Sequence, residues 1–166
     1  MFEGRPITQT LEKPQFYREL IAQAEGLLAG ERDFIANAAN LSALIFEQVP
    51  RLNWAGFYLL KSGSELVLGP FQGKVACVRI PVGRGVCGTA IAERKTQLVE
   101  DVHAFPGHIA CDAASRSELV VPLFTGDRIV GVLDLDSPDP ARFDDDDQAG
   151  FERLGTLLMD ASDVDF

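Results

Sequence analysis

The chain is predicted to adopt an α+β fold, with helices packed on one face of an antiparallel sheet, and three observations carry that prediction. Two apolar stripes of helical period precede residue 50, short β-rich segments separated by turn signals fill residues 53–137, and a third helical stripe occupies residues 144–162. Helices, then a run of strands, then a final helix are the order of an α+β protein rather than of an alternating parallel sheet.

The first stripe lies in KPQFYRELIAQAEGLLAG, where Phe16, Leu20, Ile21, Ala24, Leu27 and Leu28 share a face, Pro14 opens the helix and Gly30 stands just past its end. The second lies in RDFIANAANLSALIFEQVP, with Phe34, Ile35, Ala38, Leu41, Leu44 and Ile45 aligned and Pro50 as the stop. These helices fill residues 14–49, behind an extension of residues 1–13. After Pro50 aromatic and β-branched residues dominate, and the Ser62-Gly63 and Gly73-Lys74 turn signals divide them into strands at Trp54–Leu60, Glu65–Gly69 and Val75–Ile80. GRGVCGTAIAERK predicts a short helix over about Gly85–Arg94, and TQLVED a short strand. SELVVPLF and RIVGVLDLDS flank the turn TGD and predict a hairpin. The closing helix has acidic residues in its first turn and Phe151, Leu154, Leu157 and Leu158 on one stripe. Residues 1–166 are expected to form one domain.

Residues Asp101–Arg116 remain as a connection between two strands, longer than the roughly 12–15 residues at which a loop needs a reason. Phe105, Ile109, Ala110, Ala113 and Ala114 would be wasted on solvent, so a packed lid is expected rather than disorder.

Composition sets the broad class. Hydrophobic residues at 46% and charged residues at 24% are ordinary for a globular protein. A net charge of −10, with the fifteen Lys and Arg scattered, repels phosphate backbones and anionic lipids, so neither nucleic acid nor membrane is an expected partner. The amino terminus lacks a secretory apolar core and no segment approaches membrane-spanning length, so a cytoplasmic location is expected. The three cysteines are an odd number, which suits a reducing compartment better than a disulfide framework. Their spacings match no paired zinc ligands, although His103 and His108 lie close enough to Cys111 to keep a metal site conceivable.

Taken singly, Cys77, Cys87 and Cys111 are each explained by core packing. Taken together they sit in a strand, in a Gly-rich turn entering a helix, and in the long loop, elements able to converge on one pocket. A nucleophilic thiol with resolving partners needs that convergence, because a sulfenic acid must meet a second thiol to be reduced. Asp134 and Asp136, two apart on a predicted strand, share a face opposite Leu133 and Leu135, with Glu118 on the neighbouring strand. The pattern is either a solvated strand face or a pocket that holds a cation and raises a carboxyl pKa. GRGVCG lacks the Lys-Ser/Thr ending of a phosphate loop and reads as a turn. Trp54 and Tyr58 also share a face, where core packing is the first reading and binding the second.

The runs GPFQGKVACVRIPVGRGVCGTA, DVHAFPGHIACDAASRSELVVPL and GVLDLDSP resemble the free methionine-(R)-sulfoxide reductase family, built on a single GAF domain, and the resemblance covers nearly the whole chain. It implies a GAF-like antiparallel sheet with helices on one face and a loop-capped pocket on the other. It further implies Cys111 as nucleophile, Cys77 as principal resolving cysteine and Cys87 as an additional thiol. Glu118, Asp134 and Asp136 would line the polar end of the pocket, and Trp54 and Tyr58 the thioether end. The implied partners are free methionine (R)-sulfoxide and a thioredoxin-type dithiol, with a homodimer left open, and neither cofactor nor metal is required. Two rivals are a non-catalytic GAF sensor, which would normally carry an output domain, and a thiol peroxidase or redox sensor using the same cysteines.

Overall fold

The computed structural model describes residues 2–166. Helices α1 (Lys13–Leu28) and α2 (Phe34–Gln48) lead into strands β1 (Trp54–Lys61), β2 (Glu65–Gly73) and β3 (Arg79–Pro81). Helix α3 (Gly85–Glu93), strand β4 (Gln97–Val99) and a 3-10 turn at Val102–Ala104 precede the hairpin of β5 (Ser117–Thr125) and β6 (Arg128–Ser137), and α4 (Asp145–Ala161) follows. The strands form one six-stranded sheet in the order β3-β2-β1-β6-β5-β4, every neighbouring pair antiparallel.

Strand periodicity separates two cores. Ala55, Phe57, Leu59, Leu119, Val121, Leu133 and Leu135 pack with the stripes of α1, α2 and α4 on one face, although Ile35 of the predicted α2 stripe faces solvent at 51% exposure. Trp54, Tyr58, Val120 and Val132 lie on the other, under α3 and the lid. The predicted helical layer is therefore present, and α3 stands apart from it. Two polar devices pin that layer: Asp144 and Asp147 form a capping box at the start of α4, and buried Asp147 accepts from Tyr17 Oη at 2.6 Å and pairs with Lys13 and Arg142.

The predicted boundaries move in two places. β2 runs past Gly69-Pro70 to Gly73, because the β1–β2 register shifts between Gly56 and Tyr58 and Pro70 falls in that irregularity, where its missing N–H disturbs no ladder. The strand expected over Val75–Ile80 shrinks to Arg79–Pro81, and residues 74–78 become an outlying strap. Trp54 Nε1 donates to Lys74 O at 3.1 Å and Tyr58 Oη to Cys77 O at 2.9 Å, so side chains occupy carbonyls that a strand would give to backbone. Val75 and Val78 consequently face solvent at 88% and 62% exposure.

Candidate active site

The lid-side face of the sheet is set by register. Trp54, Asp136 and Glu118 form one row across β1, β6 and β5, and Gly56, Asp134 and Val120 form the next. The three acids thus converge on a pocket of about 520 Å³, mouth included, whose walls also take in the start of α3 and the lid at His108–Asp112 and Ser115. Glu118 and Asp134 are 7% and 5% exposed, and Asp136 is half-buried.

Aromatic side chains stand beside the acids on the same face of the sheet. The Trp54 ring stacks on Tyr58 at 5.8 Å and on Phe71 at 5.2 Å between centroids. Gly56 permits that stack, since a Cβ there would lie 2.3 Å from Phe71 Cβ and 2.8 Å from the Trp54 ring. Through Nε1 and Oη, Trp54 and Tyr58 also hold the strap that carries Cys77.

The lid is held from the start of β1. Asn53 Nδ2 lies 3.1 Å from both Asp112 Oδ2 and Ser115 Oγ, and Asn53 N donates to Asp136 O at 3.0 Å. Asp112 accepts from Ala114 N at 2.9 Å, the backbone bond that chiefly lowers its carboxyl pKa. Val102, Phe105 and Ile109 pack on the pocket-side core, so the first part of the long connection is a packed lid, whereas Ala110, Ala113 and Ala114, expected to be covered, are exposed.

Strap and lid meet in a disulfide between Cys77 and Cys111, with Cα atoms 5.4 Å apart. Cys87, in the first turn of α3, is a buried free thiol whose Sγ stands 3.9 Å from Glu118 Oε1. All three cysteine-bearing segments therefore converge on one pocket.

Burial governs the electrostatics. It raises the Glu118 and Asp136 pKa values well above the carboxyl range, reinforced by the charge of Asp134, and pushes Asp134 up to about 6. Protonated carboxyls are thus available near neutrality as hydrogen-bond donors. Burial also raises the Cys87 thiol, with Asp134 and Glu118 adding to the effect, so Cys87 stays a poor nucleophile. His103 Nδ1 faces Asp101 at 3.3 Å, and the metal grouping imagined around Cys111 does not assemble; among the described residues the ligand atoms that converge belong to Cys87, Glu118 and Asp134.

Sequence reading missed Asn53, Gly56, Asp112 and Ser115. Asn53, Asp112 and Ser115 act through contacts between segments about sixty residues apart. Gly56 carried a local signal, a glycine inside an aromatic strand, where a close approach is the usual reason.

Comparison with known proteins gives concordant results. The family model for the GAF domain matches residues 36–162. The chain is 57% identical over 148 residues to the free methionine-R-sulfoxide reductase of Escherichia coli (strain K12), covering 89% of each protein. It is 43% identical over 158 residues to that of Saccharomyces cerevisiae, covering 91% of this chain and 88% of the yeast protein. The crystal structure of free methionine-R-sulfoxide reductase from Neisseria meningitidis in complex with its substrate superposes with a TM-score of 0.92 at 46% identity, covering 97% of this chain and 95% of that one.

Proposed function

The chain belongs to the free methionine-R-sulfoxide reductase family of GAF-domain proteins, and we propose from that premise that it reduces free L-methionine (R)-S-oxide through a sulfenic acid on Cys111, resolved by Cys77. One observation carries the reading: Cys77 and Cys111 are joined as a disulfide beside a pocket lined by three acids of raised pKa.

In the reduced protein the Cys111 sulfur attacks the sulfoxide sulfur while a protonated carboxyl hydrogen-bonds the sulfoxide oxygen. The oxygen passes to Cys111 as a sulfenic acid and methionine departs. The Cys77 thiol then attacks the Cys111 sulfur, the S–S bond forms, and the oxygen leaves as water. Two thiols have supplied the two electrons that the sulfoxide accepted. A thioredoxin-type dithiol restores them by exchange, and Cys87 is an additional thiol for Cys111 when Cys77 is absent.

The ionised members of Glu118, Asp134 and Asp136 pair the substrate ammonium. Backbone N–H groups of the lid and of the first turn of α3, which has no side-chain cap, receive its carboxylate. Trp54 and Tyr58 take the methylthio end. A pocket that pairs both charges of an amino acid selects the free molecule over a residue in a peptide. We further assign residues 1–166 to one GAF-type domain working in the cytoplasm, with a homodimer compatible with the fold; no helix among the described residues is long and apolar enough to cross a membrane.

Turnover with thioredoxin, its reductase and each sulfoxide diastereomer tests the proposal. The R form should be consumed and the S form spared, and N-acetylation of the substrate should lower kcat/KM by about 2–4 kcal/mol of transition-state stabilisation. Glu118→Gln and Asp136→Asn should blunt that discrimination. Peroxide turnover without sulfoxide stereoselectivity, or ligand binding without turnover, would replace the proposal with one of its rivals.

A further inference from the structure

Cys87 is the thiol that the proposed reaction leaves unused, and it completes a second constellation inside the pocket. Its Sγ and one carboxyl oxygen each of Glu118 and Asp134 lie within 4.8 Å of one another, and all three residues are buried. A tetrahedral ion bound at about 2.3 Å to sulfur and 2.0–2.2 Å to oxygen holds such ligand atoms roughly 3.3–3.6 Å apart. The Cys87 to Glu118 separation of 3.9 Å needs a contraction of only a few tenths of an ångström.

A second observation is independent of that spacing. Asp134 Oδ1 is inaccessible to solvent and receives no hydrogen bond from any N–H or hydroxyl, in a residue only 5% exposed, so only the protons of Glu118 and Cys87 serve this carboxylate. A buried carboxylate whose only partners are the acids and thiol beside it has no cation of its own, and a metal ion would supply one.

We propose that Cys87, Glu118 and Asp134 form a site for a thiophilic divalent cation of the zinc class, with the fourth position open to the pocket, and that this cation and the substrate's ammonium group exclude each other. A mixed thiolate and carboxylate donor set suits a borderline ion such as zinc, whereas magnesium and calcium prefer oxygen alone. As the metal–sulfur and metal–oxygen bonds form, the thiol proton and the proton held by Glu118 pass to solvent. Both ligands draw on the same carboxylates, so occupancy by the metal blocks the amino acid. Cation binding stands on geometry alone, and only the exclusion clause rests on the proposed substrate.

The oxidised protein isolates the site, because the disulfide leaves Cys87 as its one free thiol. Cobalt(II) is the spectroscopic probe and zinc(II) its competitor. Wild type should bind one equivalent of cobalt with an intense near-ultraviolet thiolate-to-metal band, and zinc should bleach it. Cys87→Ser should lose the band and bind zinc at least tenfold more weakly, and Asp134→Asn should weaken zinc to a similar extent. Zinc should raise the Tm of wild type but not of Cys87→Ser, a comparison that also reports whether each variant folds. Free methionine should displace cobalt. Absence of the band in oxidised wild type, or unchanged zinc affinity in Cys87→Ser, overturns the site, and failure of methionine to compete overturns the exclusion. Turnover measured with a chelator present reports on the proposed reductase reaction separately.

Discussion

Cys111 and Cys87 touch the same pocket and differ in what surrounds them. Cys111 lies on the lid, partly exposed, whereas Cys87 sits against buried acids that hold its proton. Cys111→Ser should therefore abolish methionine formation even in a single turnover, while Cys77→Ser should release about one equivalent and then stall at the sulfenic acid or a Cys87–Cys111 disulfide. Quenched-flow product analysis with peptide mapping decides, and stoichiometric methionine from Cys111→Ser would remove it as the nucleophile. At this scale the residues that line the candidate site were legible, because thiols are scarce and Asp134 and Asp136 stand two apart on one strand. Gly56 and Asn53 were harder to see, since the value of each depends on a neighbour supplied by the fold, Phe71 for one and the lid for the other.

The start of β1 is the element that aligns the two cysteine segments. Asn53 holds the lid through Asp112 and Ser115, and one and five residues on, Trp54 and Tyr58 hold the strap through its carbonyls. Tyr58→Phe keeps the ring and deletes the bond to Cys77 O, so it should leave the first chemical step nearly intact and slow disulfide closure several-fold. A dimedone-type probe would then trap more sulfenic acid than in wild type; equal trapping would mean that the strap is held without this bond. The net effect on stability should be about 1 kcal/mol. The helices, the hairpin and the packed first part of the lid were readable from period and composition. The strap was not, because Val75 and Val78 carry strand propensity that two side-chain donors from β1 override.

Across the whole molecule, the buried acids set stability against function. An acid whose folded pKa lies above its unfolded value keeps its proton longer in the native state, so stability is fullest below the unfolded value and falls as pH rises through the folded one. For Asp134 that window runs from the ordinary 3.8 to about 6, which corresponds to about 3 kcal/mol lost by neutral pH, and Glu118 and Asp136 extend the same slope upward. His108, half-buried with its pKa lowered by desolvation, works the other way: its contribution is present above its ordinary 6.5 and lost as pH falls. Three acids outweigh one histidine, so the Tm of wild type should decline from pH 5 to pH 8. Asp134→Asn, which cannot ionise, should decline less and should be more stable than wild type at pH 8 by about 1–3 kcal/mol while losing activity. Free methionine, by supplying the ammonium that these acids lack when the pocket is empty, should narrow the difference. Thermal denaturation of the two proteins across that range, with and without methionine, is the check, and parallel Tm curves would mean that Asp134 is ionised at little cost within its pocket.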